Sequence, residues 1–208
     1  MTLARFHDRV ADFTAIYDAV RSVVALLDRH ITQSSEPQLT TVPVSPLSPR
    51  ELEINSTQTA VSVWLHRVDP QPDLLNRPAP RPESERELHR STPVELLLHV
   101  TPLDPDGPTR AALLGRVVQV LADHRRLSGP DLVGGLTTSG TTLLLGMDTL
   151  TQYDLSLLWG ALHTHQRAGI ALRVNGLVID THLPPRDSTR VLHSETRVDQ
   201  VVGSGVSP

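Results

Sequence analysis

The chain lacks cysteine and lysine altogether, and its 208 residues include only two each of Phe, Trp and Tyr. Without cysteine there is no disulfide framework, no thiolate metal site and no cysteine nucleophile. A core with so few aromatic side chains must be built from Leu, Val, Ile and Ala. The 19 basic residues are all Arg and stand against 23 acidic ones, for a formal net charge of -4. Because a nucleic-acid-binding domain usually carries a clustered basic face, we expect no nucleic-acid partner.

Long apolar runs are missing as well. No stretch approaches the roughly 18–20 apolar residues that a membrane-spanning helix needs, and the first twenty residues include Asp8, Asp12 and Asp18. These carboxylates interrupt the apolar segment that a secretory signal peptide requires. The sequence therefore predicts a protein without membrane insertion that is made and assembled in the cytoplasm.

Three segments have the apolar spacing of amphipathic helices. The first covers 10–31, and its apolar stripe includes Phe13 and Tyr17. The second follows Asp106, a residue type that caps helix N-termini. The third opens with an approximate capping box over 151–154. Its apolar face consists of Leu155, Leu158, Trp159 and Leu162.

Other segments alternate or carry apolar residues on both faces, as strands do. The segment 93–103 is apolar on both faces, which predicts a central strand, whereas Pro43 and Pro46 confine a short strand near 39–44 to a sheet edge. The remaining candidates are 60–68, 141–147 and 170–179. We predict an α/β fold with a single mixed β-sheet of four or five strands and about three packed helices. This domain covers 1–182, and 183–208 is expected to form a flexible C-terminal arm or tail.

The strand at 60–68 leads into an unusually long Pro-rich connection over 69–92. Connections of this length are uncommon in compact domains and tend to be functional or mobile. On the strand, Trp64 shares a face with Ser62 and His66, so it is either covered by a helix or part of an interface. Trp and Arg are enriched at the anchors of protein interfaces.

Catalytic chemistry finds little support in the sequence. His163 and His165 are spaced like two metal ligands, but no third ligand is close in sequence. His99, on the central strand, is expected to be a hydrogen-bonded core or interface residue. The Gly-rich segment 128–140 matches no phosphate-binding motif and predicts a flexible surface loop. We expect no catalytic residues, no cofactor and no metal; the alternative is a small metal-dependent or hydrolytic enzyme using His163, His165 and Asp180.

Three blocks of the sequence resemble the cap or tail-terminator family of contractile injection systems, the phage-tail-like particles of the antifeeding-prophage and virulence-cassette type. The first block is the strand and turn VSVWLHRVDPQPDLLNRP. The second is PVELLLHVTPL with the helix that follows it, and the third is LTQYDLSLLWGALHTHQRAGIALRVNGLVID. The residues that carry the likeness are His66, Arg67, Val68, Asp69, Leu74, Leu75 and Asn76; Leu98, His99, Leu113, Leu114, Gly115, Arg116, Asp123 and His124; and Leu155, Leu158, Trp159, Val178, Ile179 and Asp180.

The resemblance implies a tail-terminator-like fold and a structural function. Identical subunits, six being the expected number, would form a ring at the distal end of the particle. This homo-oligomeric ring would bind the last layer of the sheath protein and the inner tube protein and end their polymerisation. The candidate assembly interface comprises Trp64, His66, Arg67, Asp69, Asn76 and Arg77.

Overall fold

The computed structural model describes residues 11–37, 39, 41–75 and 91–180. Its helices are α1 (Ala15–His30), α2 (Pro49–Ile54), α3 (Pro72–Leu75), α4 (Gly107–Asp123) and α5 (Gln152–Leu162). Its strands are β1 (Val44–Ser45), β2 (Ala60–Pro70), β3 (Thr92–Leu103), β4 (Arg126–Ser128), β5 (Thr142–Asp148) and β6 (Ile170–Ile179). None of the helices in these ranges is long and apolar enough to cross a membrane.

The strands form one mixed sheet in the order β1-β2-β3-β6-β5-β4. Every neighbouring pair is antiparallel except β1 with β2, which is parallel. The predicted α/β class is confirmed, but the predicted counts are too low: the described ranges hold six strands and five α-helices. The missed elements, β4, α2 and α3, have three to six residues, too few to show a periodic pattern. The predicted tail, 183–208, lies outside the described residues.

One face of the sheet, here called the inner face, carries the main core. Helices α1 and α4 pack on it, and the four central strands β2, β3, β6 and β5 meet them with aliphatic side chains. Each fully buried Leu or Val contributes roughly 1.5–3 kcal/mol. The sheet residues of this core include Val61, Val63, Leu96, Leu98, Val100, Leu143, Leu145, Leu172, Val174 and Leu177.

Strand β2 does not stop at Val68, as its prolines had suggested, but pairs with β3 as far as Pro70. Pro70 is tolerated because its backbone nitrogen points away from β3, so the pairing of the two strands needs no N–H at this position. A bulge between Leu65 and Arg67 shifts the register within the strand. The prediction that prolines end the strand was therefore wrong by about two residues.

Two aromatic residues of the predicted α1 stripe do not reach the core. Phe13 precedes the helix and is 88% exposed, and Tyr17 is 60% exposed with the Arg21 guanidinium over its ring. The buried face of α1 is instead made of smaller residues. These are Ala15, Ala19, Val20, Val23, Leu26 and Leu27.

The Gly-rich segment is not the flexible loop that its composition predicts, because α1 holds it in place. The buried carboxylate of Asp18 accepts a hydrogen bond of 2.8 Å from the Gly135 N–H. The Ser22 hydroxyl accepts one of 3.0 Å from the Val133 N–H. Gly134 has φ +61°, and a Cβ at this position would collide with the Asp18 carboxylate.

We predict that Gly134→Ala destabilises the protein more than Gly140→Ala. Both glycines have a left-handed backbone, which costs an L-residue about 1–2 kcal/mol, but a Cβ at Gly140 meets nothing within 4 Å. At Gly134 the new Cβ also displaces Asp18 from the Gly135 N–H, and losing this charge-assisted bond costs about 1.5–3 kcal/mol more. Urea denaturation measures the difference, and equal losses in the two variants would contradict the Asp18 clamp.

Candidate assembly surface

The opposite face of the sheet, here called the outer face, is only partly covered by helix α5. The predicted capping box begins this helix: the Thr151 hydroxyl accepts from the Asp154 N–H, and the Asp154 carboxylate accepts from the Thr151 N–H. Trp159 is the one residue of α5 that is buried. The other apolar positions of the predicted face are only partly buried, and Tyr153 and Leu157 are 70% and 56% exposed.

Trp159 packs its ring edge-on against His99 of β3, with the ring centroids 6.0 Å apart and an interplanar angle of 82°. His99 is 1% exposed, and within the described part of the chain neither of its ring nitrogens has a hydrogen-bond partner. The expected burial of His99 is confirmed, whereas its expected hydrogen bonding is not found there. Burial, and secondarily the nearby His66, lower the pKa of His99 from 6.5 to about 4. His99 is therefore neutral at physiological pH.

Gly169 brings the chain that follows α5 close to β3. A Cβ on Gly169 would lie 2.7 Å from His99 Nε2 and 2.6 Å from Thr101 Oγ1. Only glycine allows this close approach, because a side chain would have to displace β3 itself. The short connection between α5 and β6 therefore depends on Gly169 to hold Trp159 over His99.

Farther along the outer face, charged side chains from four strands lie side by side. Arg173 of β6 donates to Asp148 of β5 at 2.6 Å and lies 3.4 Å from the carboxylate of Glu95 on β3. On β2, Arg67 Nε donates to Asp69 at 2.7 Å. The hydrogen bond to Arg173 lowers the pKa of Asp148, and the same bond raises the pKa of Arg173. Asp148 and Arg173 are therefore fully ionised at neutral pH.

A cleft of about 600 Å³ lies between these charged strands and α5. It is lined by apolar residues, including Leu97, Leu157 and Leu158, and by the charged residues of β2, β3, β5 and β6. Protein–protein interfaces likewise combine apolar contact area with polar and charged groups. The cleft contains no arrangement of nucleophile, base and orienting group of the kind that covalent catalysis needs.

Four of the six predicted interface residues share this region. Trp64, His66, Arg67 and Asp69 all lie on the outer face of β2, and the last three line the cleft. Trp64 is partly buried, with its ring centroid 5.6 Å from that of His66. The other two predicted residues, Asn76 and Arg77, lie outside the described residues.

Sequence reasoning missed the partners that other strands supply. Glu95, Asp148 and Arg173 are far apart in the chain and meet only because β3, β6 and β5 are neighbours in the sheet. The alternation of each strand assigns these residues to the polar face. The order of the strands, which brings them together, has no local signal in the sequence.

The residues of the alternative enzyme hypothesis do not come together. His163 caps the end of α5, and with His165 it lines a cleft of about 790 Å³ beside Glu53. Asp180 lies at the far end of β6, roughly 30 Å along the strand from the turn that carries the histidines. Its carboxylate accepts a short hydrogen bond from Ser91. Across the described ranges, no group of three His, Asp or Glu residues is arranged to hold a metal ion.

We predict that acidification destabilises the protein through His99. Because its folded pKa of about 4 lies below the ordinary 6.5, the unfolded chain takes up the proton first. Stability from this group is complete above pH 6.5, declines toward pH 4 and is flat below that, a total loss of about 3 kcal/mol.

Urea denaturation of the wild type and of His99→Phe at several pH values between 7 and 4 tests this prediction. The variant is expected to lose less free energy of unfolding across the window. His30 and His66, whose pKa values burial also lowers, are present in both proteins, so their contributions cancel in the comparison. Parallel pH profiles for the two proteins would overturn the assignment to His99.

Two solved assemblies contain the same fold. One is the sheath/tube terminator of the PVC extracellular contractile injection system in its extended state. It has a TM-score of 0.61 and 17% identity over 91% of this chain and 65% of that one. The other is the tube-terminating cap of the anti-feeding prophage, with a TM-score of 0.58 and 15% identity over 91% of this chain and 62% of that one. At these identities the likeness shows the fold, and the chain spans less than two thirds of either protein.

A stretch of 113 residues is also 32% identical to part of a polyketide synthase-nonribosomal peptide synthetase hybrid, himA, of Aspergillus japonicus. The match covers 53% of this chain but only 3% of that enzyme. So small a part of a large enzyme carries no inference about catalysis by this chain.

The family model described as the Pvc16 N-terminal domain matches residues 19–193. This range contains all three blocks on which the resemblance to the terminators of contractile injection systems was based, and it includes every element from β1 to β6. The resemblance is thereby confirmed: the chain belongs to the Pvc16 N-terminal domain family.

Proposed function

We propose that this protein is a structural terminator of a contractile injection system, which binds the end of the sheath and the inner tube and stops their growth. The observation that carries the proposal is the family match over residues 19–193. It is supported by the fold shared over 91% of the chain with a sheath/tube terminator and a tube-terminating cap. Such a protein functions by binding its neighbours through complementary surfaces, and this binding needs no reactive group.

The proposed assembly is a closed ring of identical subunits, with six as the expected number. Head-to-tail contacts between identical chains produce a ring when the rotation closes. Each stable contact has to bury roughly 800 Å² per partner. A chain of 208 residues has enough surface for two ring neighbours and for the sheath and tube subunits on which the ring would rest. Such a protein would be assembled in the cytoplasm and remain with the particle.

We place part of the assembly interface on the outer face, at the cleft beside α5. Arg67 has a side chain that is 65% exposed, and Trp64, three residues earlier on the same strand, has a partly buried ring near that of His66. An indole beside an Arg–carboxylate pair provides apolar contact area together with directional polar groups, a combination enriched at interface hot spots. The exposed side chains of Tyr153 and Leu157 extend this surface across α5.

The enzyme alternative has no comparable support. The histidines of the α5 end and Asp180 are at opposite ends of β6, and the structural relatives are terminators and caps. Glu53, which lines the same cleft as the histidines, is already bound by Arg167 at 2.5 Å and by the Thr164 hydroxyl. A carboxylate engaged in this way stabilises the loop and is poorly placed to act as a general base.

We predict that Arg67→Ala and Trp64→Ala lower the yield of complete particles at least severalfold, while Ser139→Ala leaves it unchanged. Ser139 bonds only within its own loop, to Leu136 and Thr141, and lies away from the outer-face cleft. Loss of the exposed Arg67–Asp69 pair costs the isolated protein at most about 1 kcal/mol. The effect on yield is therefore expected without unfolding.

The measurement is a count of intact particles by negative-stain electron microscopy from cells that express each variant at equal level. Thermal unfolding of each purified variant accompanies the count, so that a Trp64→Ala protein that fails to fold is recognised. Equal, wild-type yields from all three variants would refute the placement of the interface on this face.

A further inference from the structure

Helix α5 lies between two clefts on the outer face of the sheet. The outer-face cleft, of about 600 Å³, is lined on the α5 side by Asp154, Leu157 and Leu158. The cleft of about 790 Å³, here called the α2 cleft, has Arg50 and Glu53 of α2 on its other side. Its lining from α5 consists of Ser156, Trp159, Gly160 and His163. With about 3.6 residues per turn, the two sets of α5 residues face opposite sides of the helix. The helix therefore has room to move sideways.

The attachment of α5 to the sheet is light. Trp159 is the one residue of the helix that is buried, and Leu155 and Leu158 are half-buried. The indole nitrogen of Trp159 and both ring nitrogens of His99 beneath it are buried and have no hydrogen-bond partner within the described ranges. Buried polar atoms without partners reduce stability, so this contact holds α5 less firmly than an apolar contact of the same size. Elements that move during function are drawn from such weakly held parts of a protein.

The two ends of α5 are held unequally. Just beyond its C-terminal end, Thr164 and Arg167 both donate to the carboxylate of Glu53, at 2.7 and 2.5 Å. At its N-terminal end, Gln152 makes a contact of 3.5 Å with Gln166, and the first three residues of the helix are exposed. The C-terminal end is thus fixed to α2, whereas the N-terminal end is held more loosely.

Gly160 keeps the α2 cleft open. A Cβ built on this residue would meet nothing within 4 Å, and its backbone is that of an ordinary helix. Glycine inside a helix is destabilising relative to alanine, and no neighbour in the described part of the chain requires glycine here. A larger side chain at this position would occupy the space into which α5 would move.

We propose that α5 is a movable wall of the outer-face cleft, which pivots near Trp159 and enters the α2 cleft when the terminator docks on the particle. The movement carries Leu157 and Leu158 away from the charged strands and widens the outer-face cleft. The α2 cleft is then filled by α5 itself and receives no other chain. Docking shifts α5 only if the widened cleft binds more tightly than the closed one. The inference therefore rests on the proposed function, because docking of the terminator supplies that binding.

The three longer parts of the chain outside the described ranges adjoin described residues at the other end of the sheet. The Asp180 N–H donates to the Ala11 carbonyl at 3.1 Å, Ser91 bonds to the Asp180 carboxylate, and α3 ends at Leu75 beside β3. Asp180 is roughly 30 Å along β6 from Ile170, the end of that strand nearest to α5. Helix α5 is accordingly the element best placed to fill the α2 cleft.

Gly160→Leu tests the proposal, with Gly160→Ala as the matched control. Leucine places an apolar side chain in the α2 cleft and obstructs the movement, whereas alanine leaves most of the cleft empty; both favour the helix over glycine. Purified variants are added to sheath–tube particles from cells lacking the gene, and capped ends are counted over time. We expect the leucine variant to cap at least about tenfold more slowly than the alanine variant, with neither melting below the wild type.

Equal capping by the two variants would overturn the movement of α5 and leave the terminator function intact. Absence of capping by the wild type would instead contradict the proposed function.

A cross-linking experiment separates movement of α5 from direct docking of another chain in the α2 cleft, which leucine would also obstruct. Because the chain has no cysteine, Arg50→Cys provides a single attachment point for a photoreactive cross-linker at a side chain that is 49% exposed. In capped particles, cross-links from position 50 are expected to stay within the same chain. Cross-links to another chain would overturn the assignment of this cleft to α5.

The movement is also measurable on the isolated protein. Leu97 of β3 lines the outer-face cleft and is half-buried, so the rate at which a thiol at Leu97→Cys is alkylated reports how often this cleft widens. In this background we expect Gly160→Leu to slow alkylation severalfold relative to Gly160→Ala. Identical rates would overturn the proposal without bearing on the terminator function.

Discussion

The long antiparallel pairing of β2 with β3 is the constraint on which the rest of the structure depends. It aligns Val63 with Val100 and Leu65 with Leu98 beneath α1 and α4, and places Trp64 opposite His99 on the other face. Because side chains alternate strictly along a strand, a slip of one residue would exchange the two faces. The core and the proposed assembly surface are therefore set by the same register.

The two faces of the sheet differ in a way that suits a protein built to assemble. The inner face is covered by two long helices and supplies most of the hydrophobic stabilisation. The outer face is covered in part by α5, attached mainly through Trp159, and by the short helix α2, whose Leu52 packs with Ala60 and Leu103. Polar atoms of Trp64, His99 and Thr101 are buried on this face without partners in the described ranges. Buried polar groups without partners reduce stability. These atoms therefore make the outer layer less stabilising than the inner core, which is built from aliphatic side chains.

The sequence predicts those features whose causes are local. The alternation of β2 and β6, the apolar character of both faces of β3, and the caps at Asp106 and Thr151 predicted these elements where the structure has them. The short helix α2 was missed, although its capping box of Ser48 and Glu51 is a recognisable local signal.

Features that depend on distant contacts could not be predicted. Asp18 holds Gly135, 117 residues away in the chain, so composition alone made the Gly-rich segment look flexible. The exposure of Phe13 depends on where α1 begins, and the grouping of Glu95, Asp148 and Arg173 depends on strand order. For the candidate surface, the sequence predicted residues of β2 only, and the structure shows that residues of β3, β5 and β6 lie beside them.

The central claim is that the protein ends the growth of sheath and tube. Electron microscopy of particles from cells that lack the gene, with and without complementation, tests it most directly. The account predicts that without the protein the particles have open ends and uncontrolled or unstable lengths, and that the wild-type gene restores closed ends of uniform length. Particles of normal length with intact ends in the absence of the gene would contradict it.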